Sequence, residues 1–398
     1  EPIRENIYPI NSEQPMARKF IVDLMTYLAE EFHIDGFGLE NLWALDMQTV
    51  NEIRQALDQI DSTILLFGNT LIDSAEQYPA QRFRYFDLHH TPRVAIYNHD
   101  ARDGVKGPYQ YREQPGFVNG GIDMEESIKL MMVGGVDHPE VHYDQALYLK
   151  KPWANHPNQV INYVARYNDY TLYDKIVETT EGLDQDTRMK MVLMAGALLF
   201  TSQGIPKLQA GDEMLRSKSG DKYSEESPDF INQIIWNSKY DHEEIFEYFK
   251  GLIKLRKEHP AFRMNRAELI REHLTFLNTP VSNTLGVHLK NNANHDTYTD
   301  IVILFNANTS EVRFKLPHFG VWNVIVDGQK AGTDIIRLFT DDSIVLPELT
   351  AMVLYSNEKR MKEVTVVKQE GTSSGRKLAY AAGAIGLYLL LRRRRRKK

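Results

Sequence analysis

The feature that most constrains the fold is a regular alternation of helical patterns with short apolar runs. Residues 16–28 place apolar side chains at helical spacing and lead into a strand-length run at 32–39; the helical pattern 47–60 leads into the run 63–67. Further strand-length runs lie at 93–97, 160–164 and 205–209. Helices that alternate with buried strands predict crossover units and a parallel sheet, with chemistry at the carboxyl ends of the strands.

The second half of the chain has a different pattern. Met189 to Phe200 is apolar on nearly every face and too short to span a bilayer, which predicts a core helix, and Glu243 to Glu258 predicts a last amphipathic helix. From Leu269 to Tyr355, six short strand patterns alternate with Asn, Gly and Pro turns. This spacing predicts an antiparallel β-sandwich.

In the first half, Arg102-Asp103-Gly104 predicts a turn.

The charges separate an acidic body from a basic end. The formal net charge is -7, yet residues 376–398 hold nine Lys or Arg and no acid, so the remaining chain is strongly acidic. This argues against nucleic acid as a partner. Cysteine is absent, which excludes disulfides, thiolate metal sites and cysteine nucleophiles. No third ligand stands at a usable spacing from His89 and His90, so we expect neither a metal nor a cofactor.

The C-terminal end predicts an attachment segment. Residues 378–391 form an uncharged run of fourteen residues, followed by five Arg and two Lys. The run is short for a full span, but a basic flank is typical of membrane anchors. We expect this apolar segment, which follows the linker 358–377, to attach the chain to a membrane or cell envelope; the alternative is a solvated basic tail. Because the first residue is Glu1 and no apolar leader follows, we also expect the chain to be the later part of something longer.

Six ordered sequence blocks carry a family resemblance. They are similar to the motifs RDGIKG, GFVNG, NYVxxHDNYTLWDKI, TSQGIPF, EEMLRTK and HPAFRM. In this chain they are Arg102–Gly107, Gly116–Gly120, Asn162–Ile176, Thr201–Pro206, Glu213–Lys218 and His259–Met264. From about Gln14 to Tyr355 the chain resembles type I pullulanases, debranching enzymes of the α-amylase family (glycoside hydrolase family 13).

The resemblance implies a (β/α)8 barrel followed by a C-terminal β-sandwich. The family's strand-4 motif, DGFRFD, aligns with Asp35 to Glu40, so we expect a partial barrel made of strands 4 to 8. The implied domains are a barrel at 1–265, a sandwich at 266–357, a linker at 358–377 and a hydrophobic, basic tail at 378–398. Five barrel strands leave two open edges. We expect a complementary N-terminal barrel fragment, coverage of the edges by residues 71–114 and the N-terminal segment, or a poorly folding remnant.

The resemblance also assigns the catalytic positions. A retaining glycosidase needs a carboxylate nucleophile and a carboxylic acid about 5 to 5.5 Å apart. The nucleophile position is Glu40, the acid position is Asn69, and the transition-state stabiliser position is Asn168. Gly38 replaces the Arg that flanks the nucleophile in the family. Because an amide cannot supply a proton, we predict that acid catalysis is lost.

Asp169 is a possible substitute for the carboxylate that is missing at Asn168, displaced by one residue along the chain. A shift of one residue along a strand turns a side chain to the other face, so Asp169 reaches the site only if the strand has already ended. Alternatively, Glu40 is a strand-end carboxylate paired to a neighbour, and Asn69 a turn residue. The implied substrate-binding positions are Gly38, Tyr167, Tyr170 and Glu213, although Tyr167, Trp153 and Trp236 are also typical of core aromatics.

Three functional hypotheses follow. The first is a pullulanase-like protein of α-glucan metabolism that has lost catalysis and still contacts α-glucan such as pullulan, glycogen or starch. The second is a working debranching hydrolase that uses Glu40 and Asp169, and the third is a degenerate fragment without a ligand. The C-terminal end resembles the sorting region of Gram-positive surface proteins, with Gln369 to Ser373 in place of the LPxTG box. We therefore expect an extracellular, cell-surface location.

Overall fold

A computed structural model describes residues 10–70, 83–279 and 281–358. The predicted tail at 378–398 and nearly all of the predicted linker lie outside these ranges, as does the stretch 71–82 of the segment expected to cover an edge. Within the described ranges, no helix is long and apolar enough to cross a membrane.

The first half of the chain forms the expected parallel sheet. Neighbouring strands pair in chain order, and the sheet curls into a half-barrel. Since all its strands run in one direction, the residues that follow them share one rim. No described strand pairs with the outer edge of the first or the fifth strand. The strands are β1 (Gly36–Leu39), β2 (Leu65–Gly68), β3 (Val94–Tyr97), β4 (Val160–Tyr163) and β5 (Ile205–Lys207).

Ten α-helices lie in the described ranges. Several begin at a side-chain cap: Asp46 accepts from the Thr49 N–H at 3.0 Å, and Thr171 accepts from the Asp174 N–H at 3.0 Å. The helices are α1 (Pro15–Phe32), α2 (Met47–Ile60), α3 (His99–Lys106), α4 (Glu125–Met132), α5 (Leu172–Thr179), α6 (Gln185–Thr201), α7 (Asp229–Asn232), α8 (Ser238–Asp241), α9 (Glu243–Glu258) and α10 (Ala267–His273). Every residue of α6 from Ala195 onward is buried, which confirms the predicted core helix.

The turn predicted at Arg102-Asp103-Gly104 is wrong, because these residues lie inside α3. Asn98 caps this helix by accepting from the Ala101 N–H at 3.1 Å. A Cβ atom on Gly104 would lie 2.9 Å from the Cβ of Ser127. The glycine therefore allows α3 to approach α4 closely, and tertiary packing overrides its weak helix propensity.

The second half of the chain forms one antiparallel sheet, in the order β10-β9-β11-β8-β7-β6. The strands are β6 (Leu274–Phe276), β7 (Thr284–Leu289), β8 (Asp300–Asn306), β9 (Val312–Val326), β10 (Arg337–Leu346) and β11 (Thr350–Ser356). The expected two-sheet sandwich is thus a single six-stranded sheet in the described ranges. The reason is the length of β9, which pairs with β10 along both of its halves and with β11 near its end. One face covers a separate core cluster that includes Trp322, while α6 packs on β11.

Helix α1 differs from its prediction in the face it buries. Ile21 and Ala29 are buried, and the helix packs on α2. Five further apolar side chains remain exposed, although the sequence pattern had placed three of them on the buried face. They are Met16 (77%), Phe20 (61%), Leu24 (42%), Tyr27 (53%) and Phe32 (63%). Helix α1 is therefore apolar on two faces, of which one is uncovered.

Candidate functional site

The carboxyl ends of the strands place the predicted catalytic positions on one rim. Glu40 follows β1, Asn69 follows β2, and Asn168 and Asp169 lie beyond the end of β4. Sequence reasoning did not select four further residues on this rim. They are Tyr97, His99, Arg166 and Lys207.

Arg166 links the nucleophile position to the stabiliser position. Its Nη1 lies 3.7 Å from Glu40 Oε2, and its Nε donates to Asn168 Oδ1. The Glu40 side chain is 46% exposed and the Arg166 side chain only 5%. This geometry fits the alternative interpretation of Glu40 as a strand-end carboxylate paired to a neighbour.

Gly38 lies on β1 beside Phe67 of β2. A Cβ atom on Gly38 would be 3.0 Å from the Phe67 ring. The phenyl ring therefore fills the space into which a side chain at this position would extend. Arg166, which comes from the loop after β4, supplies the positive charge beside Glu40 instead.

The acid position lies in a neutral hydrogen-bond network. His99 Nε2 is 3.0 Å from Asn69 Oδ1, and His99 Nδ1 is 2.7 Å from the Tyr163 hydroxyl. Burial, together with Arg102 and Arg166, holds the pKa of His99 well below its ordinary value, so the ring is neutral. Because an amide oxygen only accepts, Nε2 donates to Asn69 and Nδ1 accepts from Tyr163. The bonds that position Asn69 thus involve no carboxyl group.

Asp169 is buried behind the rim. Its Oδ2 lies 2.8 Å from Lys106 Nζ, which also donates to the Tyr170 carbonyl at 2.8 Å, and it lies 3.9 Å from Arg102 Nε. Burial raises the pKa of Asp169, but Lys106 and Arg102 outweigh it and lower the pKa overall. Asp169 is thus a carboxylate in a buried ion pair, whereas Asn168 contacts Arg166.

The centre of the rim carries more positive than negative charge. Lys207 Nζ donates to the Tyr97 hydroxyl at 3.0 Å. Burial and the charge of Glu40 raise the pKa of Tyr97 to about 12, while burial and Arg166 lower the pKa of Lys207. Arg166, Lys207 and Tyr97 supply hydrogen-bond donors around a single partly exposed carboxylate. Such a rim suits polar ligand binding better than paired acid and base chemistry.

The predicted substrate positions differ in access. Tyr167 is 50% exposed, Tyr170 is only 5% exposed, and Glu213 is half-buried with its Oε2 accepting from the Gly211 N–H at 2.9 Å. Trp153 is fully buried, which confirms a core aromatic, whereas that interpretation is wrong for Tyr167 and for Trp236, which is 68% exposed.

The segment after β5 carries further exposed aromatic rings. Four of its aromatic side chains are more than half exposed: Tyr223 (56%), Phe230 (68%), Trp236 (68%) and Tyr240 (76%). Flat amphipathic rings of this kind stack on the apolar faces of ligands. In the described ranges, no group of three or more His, Asp or Glu side chains could hold a metal ion.

Two of the rim residues that sequence reasoning missed do have a local signal in the sequence. His99 is the first residue of α3, directly after Asn98, which follows β3 and caps that helix, and Lys207 is the last residue of β5. A polar residue at the end of a predicted parallel strand is the signal that could have found both. The partner of Arg166 could not be predicted, because the 3.7 Å approach to Glu40 joins two strand ends far apart in the chain.

Sequence comparisons with known proteins find pullulanases. The family "Pullulanase, all-beta domain" matches residues 270–330. Pullulanase of Bacillus subtilis (strain 168) is 30% identical over 319 residues, which cover 80% of this chain and 43% of the relative.

Solved structures give the same result. Pullulanase from Bacillus acidopullulyticus superimposes with a TM-score of 0.79 at 31% identity, covering 87% of this chain and 40% of that one. Pullulanase from Paenibacillus barengoltzii, in complex with maltohexaose and α-cyclodextrin, gives 0.76 at 33% identity, covering 86% and 51%. The chain thus spans about half, or less, of the length of these relatives. The chain is pullulanase-like, and it corresponds to the C-terminal part of pullulanases.

Proposed function

We propose that this chain binds α-glucan at the rim and does not hydrolyse it. The observation that carries the proposal is the state of the acid position and of the possible substitute carboxylate. Asn69 at the acid position is held by neutral His99, and Asp169 is committed to Lys106 inside the protein. Within the described part of the chain, neither Asn69 nor Asp169 therefore gives Glu40 an acid partner with which to cleave a glycosidic bond.

Glucan binding is supported by the rim and by the relatives. Tyr167, Tyr223 and Trp236 offer exposed rings, and Arg166 and Lys207 offer donors for sugar hydroxyls. Solved pullulanases of Paenibacillus barengoltzii hold maltotetraose, maltotriose, or maltohexaose with α-cyclodextrin. The proposal transfers this ligand class, a linear or cyclic α-glucan, to the present chain.

A reducing-sugar assay on pullulan tests the loss of hydrolysis. We expect the full chain to release no more ends than its Glu40→Ala variant, since removal of a general acid alone costs about 10²- to 10⁴-fold in rate. Turnover that the Glu40→Ala and Asp169→Asn variants each abolish would establish the working hydrolase instead.

Affinity electrophoresis through pullulan or glycogen tests binding. We expect the gel to retard the wild-type chain, and the Tyr167→Ala and Trp236→Ala variants to migrate faster than the wild type. Phe319→Ala is the matched control, because Phe319 is 70% exposed but lies on β9 of the antiparallel sheet. Equal mobility of the wild type with and without polysaccharide would favour a fragment without a ligand.

We also propose that further parallel β/α units complete the half-barrel at β1. The supporting observations are the uncovered apolar face of α1 and the outer edge of β1, with which no described strand pairs. The concave side of the sheet has a cavity of about 350 Å³ whose lining includes Leu65, Phe67 and Ile205. Leu65 is 49% exposed. A strand beside β1 and a helix against α1 would cover these surfaces together.

Co-expression with the three β/α units that precede strand 4 in Bacillus subtilis pullulanase tests this completion. We expect the two polypeptides to co-purify, and Phe20→Asp/Tyr27→Asp to prevent it. Ile122→Asp is the control, since Ile122 is 68% exposed but lies outside α1. Failure of the wild type to co-purify, together with a monomeric chain that melts cooperatively alone, would contradict the proposal.

For location, we propose attachment to the cell envelope through residues 378–398. The support is compositional: an uncharged run of fourteen residues before a basic end. Deletion of 378–398 should move the protein from the envelope fraction to the medium. An unchanged distribution between the two fractions would count against attachment.

A further inference from the structure

A second cavity lies outside the rim of the parallel sheet. It occupies about 610 Å³ between α4 and the turn that joins β6 to β7, within the usual size of ligand sites. None of its lining residues belongs to the rim. We call it the α4 groove and define it by Glu125, Lys129, Glu140, His142, Phe276 and Asn278.

Main-chain hydrogen bonds fix two carboxylates of the α4 groove. Glu125 Oε1 accepts from the Asn283 N–H at 2.6 Å, and Glu140 Oε2 accepts from the Phe276 N–H at 2.7 Å. Each carboxylate therefore has a set orientation and keeps a second oxygen for a ligand. Side chains held in this way need little ordering when a ligand arrives.

An aromatic ring and a cation lie between these carboxylates. Phe276 is half-buried, and the edge of His138 packs against it with ring centroids 5.8 Å apart. Lys129 Nζ lies 5.4 Å from the Phe276 ring centre and donates to Glu126 Oε1 at 2.6 Å. The groove thus combines a flat apolar surface with a fixed donor and fixed acceptors.

The remaining lining is uncharged and combines apolar side chains, among them Leu277 and Leu285, with amide and hydroxyl groups. Asn278, Thr279 and Ser282 face the same space from the turn after β6. Two carboxylates disfavour phosphates and acidic peptides, and no described cluster of three acids or histidines suits a metal ion. A ring with an apolar face and several hydroxyls matches this lining best.

We propose that the α4 groove is a second carbohydrate site that binds a short neutral oligosaccharide on Phe276. The groove shares no residue with the rim, so binding at either site can be lost without loss of binding at the other. Only the identification of the oligosaccharide as an α-glucan rests on the proposed function.

Hydrogen exchange of the full chain with maltotetraose tests the site by its location. We expect slower exchange in residues 125–142 and 276–285, separate from any protection at 163–170. Phe276→Ala should weaken this protection so that about tenfold more maltotetraose is needed, which corresponds to about 1.4 kcal/mol. Tyr167→Ala should leave the protection at the groove unchanged, and Phe319→Ala should leave protection at both sites unchanged.

Glu140→Gln is the variant that separates loss of binding from misfolding, because its amide oxygen can still accept from the Phe276 N–H. It should fold as the wild type does and still weaken protection of the groove. Unchanged exchange at 125–142 and 276–285, at a maltotetraose concentration that saturates the rim or at the solubility limit, would overturn the proposal. Protection of the groove alone would support the second site and count against the rim.

Discussion

At the ends of the same strands, the rim and the interior just behind it hold their carboxylates in different environments. On the rim, Glu40 is half exposed and lies 3.7 Å from its cation. Behind it, Asp169 is fully buried and lies 2.8 Å from Lys106. Asn168 and Asp169 are adjacent in the chain, yet the first contacts the rim and the second the interior.

This difference shows which charged groups near the strand ends stabilise the fold. A buried carboxylate must keep its partner, because an unpaired charge in the interior is costly. A rim carboxylate faces water and can change with little effect on folding. The loss of hydrolysis that we propose for the rim is therefore compatible with an intact scaffold behind it.

The largest predicted effect comes from breaking the buried pair. Asp169→Ala leaves the Lys106 ammonium fully buried without its carboxylate. We expect the free energy of unfolding to fall by about 3 to 5 kcal/mol, measured by urea denaturation at pH 7. Asp169→Ala with Lys106→Met removes both charges and should recover much of this loss. A single variant as stable as the wild type would mean that Asp169 has no structural role.

The sequence predicted the parts of this comparison that depend on local pattern. The five strand positions and the core helix α6 follow from apolar periodicity, and the structure confirms them. The role of Asp169 could not follow, since Lys106 lies 63 residues away and only the packing of α3 against β4 brings them together. The same holds for the single antiparallel sheet, because the pairing of β9 with two strands is a long-range property.

A second prediction concerns Asp212, a buried carboxyl group that differs from Asp169 in its balance of charge. Burial raises the pKa of Asp212 to about 7, and Lys106 offsets only part of this effect. The folded state therefore keeps a proton that the unfolded state has lost. Its contribution to stability is fully present below the unfolded pKa, near 4, and is lost as the pH rises from about 4 to about 7.

Asp212→Asn should remove this pH dependence. Between pH 4 and pH 8, we expect the free energy of unfolding of the wild type to fall by a few kcal/mol more than that of the variant. Each pH unit by which the folded state raises the pKa corresponds to about 1.4 kcal/mol. Urea denaturation at a series of pH values measures it. Asp169→Asn is the contrasting variant, because the lowered pKa of Asp169 gives stability that is lost as the pH falls. Parallel stability curves for the wild type and Asp212→Asn would contradict the assignment.

The smallest predicted effect tests the rim itself. Glu40→Gln removes the charge of a side chain that is 46% exposed and keeps its shape. Exposed ion pairs contribute about 0.2 to 1 kcal/mol, so we expect a change in unfolding free energy of less than about 1 kcal/mol. Loss of Glu40 also removes a charge that raises the pKa of Tyr97, which should therefore titrate at lower pH in ultraviolet absorbance. If Glu40→Gln instead destabilised the protein as much as Asp169→Ala does, the rim would be structural as well, and the separation of rim from interior would fail.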